Sequence, residues 1–294
     1  RMAELIQVAE HTYYIDLLSK VGLYIPNQGE AILIDSSNAE SAKIISSVLD
    51  EHNLKLSCIL NTHSHADHIG SNHALQERYH CPIYASGLEV AFIKEPLLAA
   101  CYLYGGYPYK AMRHQFFMAK SSQCEDIKQA PLPKGFDLEI LSGHAMHMTA
   151  IRTPDNVWFT GDIACAPEVL KRYPIAFTYN TTQYLESLEK ARQLKGDLFI
   201  CAHAKPTNDL NPLLDFNRSV IEGLFAAIKE SCANEPKNFE LIAKDVFDRY
   251  EMHASQMIYG NSAPTLRSHV THLVDSRQLR VIAQDNMIKF VVRD

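Results

Sequence analysis

Residues 61–70 read NTHSHADHIG, placing three histidines and an aspartate within six positions directly after the apolar run Cys58-Ile59-Leu60. Burying imidazoles beside a carboxylate is expensive unless a shared partner replaces the hydration they lose. A divalent cation is such a partner. The stretch therefore constrains the fold, because the strand entering it must end where other polar loops also arrive. A solvated histidine-rich surface loop is the plainer alternative, and composition alone produces H-x-H-x-D-H in roughly a few chains per thousand.

One segment rarely supplies every ligand that a metal needs. Three later stretches, LSGHAMH, WFTGD and FICAHAKP, each place a polar residue at the end of an apolar, strand-like run. Strand ends converge at one edge of a layered fold, which makes His144, Asp162 and His203 the natural companions of the first cluster. His147, three residues after His144, competes with it. If the strand through Cys58-Ile59-Leu60 persists, His63 and His65 share one side of it, while Asp67 and His68 lie in a loop beyond.

Between these points the chain repeats one grammar. LIQV, TYYI, GLYI and AILID are short β-like runs separated by turn residues, which predicts an antiparallel sheet; residues 38–52 then have helical spacing with Asn38 as N-cap. SCILN, the histidine loop, a helix through Leu75 and Tyr79, and the strand CPIYA follow. FDLEIL, MTAIRT and NVWFTGD resume the strand rhythm, then a helix over 181–194 and the strand DLFICA. Two β-rich halves, each followed by a histidine loop and a helix, predict two sheets covered by helices. Residues 212–232, 238–252 and 262–279 read as helical, the last with Leu266, Val270 and Leu273 on one face, and residues 280–294 read as a hairpin turning at Asp285-Asn286.

With these residues in view the chain resembles the metallo-β-lactamase-fold hydrolases. The matching blocks are Asp35 after ILI, His63-Ser64-His65-Ala66-Asp67-His68, Gly143-His144, Gly161-Asp162 and Ala202-His203, over roughly residues 3–210. The resemblance implies an α+β fold, a four-layer αββα sandwich with a dinuclear site at one edge. It implies one metal held by His63, His65 and His144 and another by Asp67, His68 and His203, with Asp162 bridging. Aspartate rather than cysteine at 162 is similar to the glyoxalase II, lactonase and nuclease branches, and His65 departs from the glutamate of the flavodiiron proteins. AHA replaces the frequent GHG of the last block. The implied activity is hydrolysis of a small ester-, thioester- or lactone-like carbonyl by water ionised between two divalent ions, with Asp67 doubling as catalytic proton acceptor. Zinc suits these ligands, and iron or manganese are compatible. An endoribonuclease or other phosphodiesterase, or a mononuclear-iron persulfide dioxygenase, are the rival activities on this fold.

The expected organisation is a catalytic domain over 2–210 and a helical, winged-helix-like domain over 211–294. Residues 88–135 form an aromatic-rich insert whose Tyr102, Tyr104, Tyr107, Tyr109, Phe116 and Phe117 suit either a lid over the metals or a homodimer interface. A net charge of -6 speaks against a phosphate-binding footprint, so the expected partner is a small molecule rather than nucleic acid, which the winged-helix resemblance nonetheless keeps open. Seven cysteines without a CxxC pair suit reduced thiols in a cytoplasm. No secretory leader or membrane-spanning run is read, and Arg1 before Met2 reads as an appended residue. Cys165 and Lys205 lie near the motifs without a required role.

Overall fold

A computed structural model describes residues 4–293; the expected limits at residues 2 and 294, and the Arg1-Met2 start, lie outside the described residues. The first sheet holds seven strands in chain order: β1 (Leu5–Gln7), β2 (Thr12–Ile15), β3 (Val21–Asn27), β4 (Glu30–Ile34), β5 (Lys55–Leu60), β6 (Ile83–Ala85) and β7 (Glu125–Asp126). Pairing is antiparallel from β1 to β4 and parallel from β4 to β7. The second sheet runs β11-β10-β9-β8, from β8 (Asp137–Ile140), β9 (Thr149–Arg152), β10 (Val157–Phe159) and β11 (Leu198–Ile200), with only β10 and β11 parallel. A separate hairpin pairs β12 (Leu279–Gln284) with β13 (Met287–Val292). The helices are α1 (Ala42–Glu51), α2 (Ala66–Ile69), α3 (Asn72–Tyr79), α4 (Glu89–Lys94), α5 (Leu97–Tyr104), α6 (Pro167–Arg172), α7 (Thr181–Ala191), α8 (Asn211–Ser231), α9 (Phe239–Arg249) and α10 (Gln256–Asp275).

Strand alternation builds the layers. In β4, Ala31 and Leu33 face α1 and α3 in one apolar core, whereas Ile32 and Ile34 face the second sheet in another. In β10, Val157 and Phe159 close the inter-sheet core and Trp158 turns outward. Both faces of the central strands are covered, which is why they read as continuous apolar runs. The result is the expected helix-sheet-sheet-helix sandwich.

The outer core of the second sheet does not stop at residue 210. Trp158, Phe199 and Leu188 share it with Leu224 and Ile228 of α8, Val246 of α9, Leu266 and Val270 of α10 and Leu279. Each fully buried side chain of this size contributes about 1.5–3 kcal/mol relative to exposure. The hairpin turns as expected at Asp285 and Asn286, both at positive φ (55° and 58°), as a two-residue connection between right-twisted strands requires. Residues 88–135 form helical pieces as predicted, and they also contribute β7, a two-residue strand too short for alternation to reveal. Among the described residues no helix is long and apolar enough to cross a membrane.

Candidate metal centre

The seven expected ligands meet at one edge of the sandwich. β5 ends at Leu60, so His63 and His65 lie past the strand rather than on one side of it. Asp67 and His68 sit in the single turn α2 instead of a loop. His144 lies in the turn between β8 and β9, Asp162 follows β10, and His203 follows β11. Two groups result, His63-His65-His144 and Asp67-His68-Asp162-His203, with the ligating atoms of each within 4.8 Å of one another. His147 is in neither. Its backbone N–H donates to Glu89 Oε1, and its Nδ1 accepts from the Leu88 N–H.

Within the first group, His65 Nδ1 is 3.0 Å from both His63 Nε2 and His144 Nε2. In the second, His203 Nε2 is 3.1 Å from Asp67 Oδ2, and His68 Nε2 is 3.2 Å from Asp162 Oδ1. Asp162 faces both groups, its Oδ2 lying 3.4 Å from His144 Nε2 and from His203 Nε2. Two atoms each about 2.05 Å from a tetrahedral zinc are separated by about 3.3 Å, so these spacings match pairs of ligands around a common ion.

Outer partners fix which nitrogen of each ring faces inward. Asp35, buried and at φ 59°, accepts from the Thr62 N–H (2.8 Å), the Thr62 hydroxyl (2.7 Å) and His68 Nδ1 (2.8 Å). The Thr62 hydroxyl, having donated to Asp35, accepts from His63 Nδ1 at 3.0 Å. His203 Nδ1 donates to the Leu18 carbonyl at 3.2 Å. Three rings thus use the Nδ1 proton outward and turn Nε2 into the cluster, the arrangement that orients metal-binding histidines.

The inward atoms are left without adequate partners. Of the three buried side-chain polar atoms lacking a hydrogen bond among the described residues, two are His68 Nε2 and Asp162 Oδ1. An orphaned buried polar atom costs about 1–3 kcal/mol, and two aimed at one another's site call for a cation between them. Burial lowers His65 to about 4 and His144 to about 3, keeping both neutral and able to ligate. Burial acts in the same sense on His203, but Asp162 and Asp67 outweigh it and raise that ring to about 10. The carboxylate charge of the second group therefore favours a cation there, whether a proton or a metal. The residues present fit divalent-cation binding.

One residue that the motifs did not disclose ties the two ligand loops together. Glu89, buried at the start of α4, accepts from the Ser64 N–H (2.9 Å) and hydroxyl (2.5 Å) through Oε2, and from the His147 N–H (2.8 Å) through Oε1. Its only sequence signal is a carboxylate inside the apolar run LEVAFI. Gly143 is as strictly placed: at φ 124°, a Cβ there would lie 2.2 Å from the Tyr184 backbone nitrogen. Cys165 is buried beside Asn217, which accepts its N–H, and Lys205 is exposed. The insert divides its aromatics: Phe117 is buried against Met112, whereas Tyr104, Tyr107, Tyr109 and Phe116 are exposed.

Comparison with known proteins agrees with this geometry. Residues 16–203 match the family model of the metallo-beta-lactamase superfamily. A beta-lactamase domain protein from Burkholderia ambifaria superposes with a TM-score of 0.73 at 18% identity, covering 99% of this chain and 94% of that one. A metallo-beta-lactamase family protein from Thermus thermophilus gives 0.70 at 18% identity, with 99% of both chains covered. A metallo-beta-lactamase from Pontibacter korlensis gives 0.56 at 13% identity over 75% of this chain and 99% of that one. At these identities the likeness is one of fold. In sequence, 42 residues are 48% identical to a hydroxyacylglutathione hydrolase from Thiobacillus denitrificans, a stretch spanning 14% of this chain and only 16% of that enzyme. The family model spans more than half of the chain and ends on His203, the last of the clustered residues, so the chain belongs to the metallo-beta-lactamase superfamily.

Proposed function

We propose that the cluster binds two divalent metal ions, one through His63, His65 and His144 and one through Asp67, His68 and His203, with Asp162 shared, and that the protein hydrolyses a small ester, thioester or lactone. The observation that carries this reading is the inward pair His68 Nε2 and Asp162 Oδ1, buried and 3.2 Å apart at ion-pair distance but with no aligned hydrogen bond to each other or to any other group among the described residues. Histidine with carboxylate suits zinc, with iron and manganese compatible. When bound, the ions supply a water of lowered pKa and a Lewis acid for the substrate oxygen.

The chain's own residues do the rest. Asp35 and Thr62 hold His68 and His63 in their inward orientation, so no ring has to reorganise as charge develops. Asp67 is the carboxylate open to solvent, with 35% of its side chain exposed against 7% for Asp162. It is therefore placed to take a proton from attacking water and pass it to bulk. The hydroxyacylglutathione hydrolase match supports a thioester carbonyl within the proposed class.

Elemental analysis of the purified protein, with hydrolysis of a panel of esters, thioesters and lactones, tests the reading. Two metals per chain, and loss of metal and activity together in His63→Ala and Asp162→Ala, are expected. Protein without stoichiometric metal, or variants that hydrolyse as the parent does, would refute it.

A further inference from the structure

Four aromatic rings lead away from His65 and His144 in an edge-to-face chain. The Phe177 ring centroid is 4.9 Å from that of His65 and 5.9 Å from that of His144. Tyr102 follows at 6.4 Å from Phe177, and it stands 5.8 Å from Tyr179 and 5.3 Å from Phe92. Interplanar angles run from 69° to 89°, so ring edges meet ring faces throughout. Phe92, Tyr102 and Phe177 are half-buried and Tyr179 is exposed, so the rings that begin against His65 and His144 are not sealed from solvent. None of the side-chain hydrogen bonds among the described residues uses the Tyr102 hydroxyl, and burial with the Glu89 charge raises its pKa.

The wall is held from behind. The Tyr179 N–H donates to the His144 carbonyl at 3.3 Å, and the Asn180 N–H donates to the Gly143 carbonyl at 2.9 Å. On the other side the Thr178 N–H donates to Thr265 Oγ1 of α10 at 3.0 Å. The α5 side also rests on α10, because Leu103 packs on Met112 and Phe117, and these close over Gly260, where a Cβ would sit 2.6 Å from Met112 Sδ. Preset apolar surface of this kind, beside a polar reaction centre, is what a specificity pocket requires.

We propose that this wall is a subsite for a planar aromatic group adjoining the scissile carbonyl, so that the substrate is an arylalkyl or aryl ester or thioester rather than a short aliphatic one. This rests on the hydrolase reading and names its substrate class. A flat ring gains the edge-to-face geometry as well as buried area on Phe177 and Tyr179, whereas a methyl or ethyl group gains little of either.

The metal-loaded protein is assayed with acetyl and phenylacetyl thioesters of a single thiol, and titrated calorimetrically with acetate and phenylacetate. The wild type should favour the phenylacetyl compound in kcat/KM by about tenfold or more. Phe177→Ala, and Tyr179→Ala at an exposed position that folding tolerates, should lose that preference through KM. Equal losses on both substrates, losses in kcat alone, or a wild type without aryl preference would overturn the proposal. If neither thioester is hydrolysed, the hydrolase reading stands or falls on the wider panel of esters and lactones, and calorimetry decides the subsite by itself. Phenylacetate binding more tightly than acetate, in a manner weakened by both substitutions, supports it; equal affinities overturn it.

Discussion

Replacing Glu89 by glutamine changes one carboxylate oxygen to an amide of nearly the same shape. The native side chain accepts three hydrogen bonds, two at Oε2 from Ser64 and one at Oε1 from the His147 N–H, and it is 1% exposed. If the amide oxygen keeps the Ser64 pair, its NH2 faces the His147 N–H and leaves that donor unsatisfied, costing about 1–3 kcal/mol. The remaining two bonds lose their charge assistance, which adds about 1 kcal/mol. The total, about 2–4 kcal/mol, is a large part of the ~5–15 kcal/mol that stabilises a typical domain. Since Ser64 lies between His63 and His65 and His147 follows His144, the same change loosens the first ligand group. Metal affinity should fall about 10–100-fold, as for other partners that orient ligands. Thermal unfolding of stripped protein and competition for zinc against a chromogenic chelator measure the two effects separately. A Glu89→Gln protein with unchanged melting temperature and unchanged zinc affinity would refute the assignment.

Gly143→Ala places a Cβ against backbone at a φ of 124°, and should destabilise the protein by about 3 kcal/mol or more in chemical denaturation. Burial lowers His269 to about 3, so the folded ring stays neutral while the unfolded ring takes a proton below about 6.5. Stability from this residue is complete above that value and is lost as pH falls, by about 1.4 kcal/mol between pH 7.5 and 5.5; His269→Asn should flatten that part of the pH dependence of unfolding. Stripping metal with a chelator should lower the melting temperature, and restoring zinc at a hundred times its dissociation constant should return about 2.7 kcal/mol for each site filled. Melting that does not respond to zinc contradicts a cation in the cluster.

The convergence of the candidate ligand residues was legible because each follows an apolar strand, so that burial of the strand fixes where the polar residue emerges. Asp162 after Val157–Phe159 and His203 after Leu198–Ile200 needed only that rule. The helices over α8, α9 and α10 and the Asp285-Asn286 turn were legible for the same local reason. Glu89 was not, since its partners lie 25 and 58 residues away and nothing in its own helix shows which side meets them. The insert shows the limit well. Tyr102 and Tyr104 are two residues apart on α5 and must face in different directions, but only the tertiary structure tells which of them turns to Phe177 beside the histidine cluster. The pattern also extended β5 too far, because Asn61 and Thr62 are buried by backbone and Asp35 contacts that alternation does not encode.

α10 joins features that the chain keeps far apart. Thr265, Ser268 and His269 bond the segment at 178–181, which in turn bonds the His144 loop, while Gly260 receives Met112 and Phe117 from the insert. The same helix buries Leu266, Val270 and Leu273 in the core shared with the second sheet. Because packed interiors transmit strain, loss of any one of these contacts is felt at the others. The candidate ligand loops and the aromatic wall are therefore both braced by α10, so that residues after 210 touch the elements that carry the site. On the proposed reading, a change in α10 would alter the aromatic wall while leaving the histidine and aspartate loops in place.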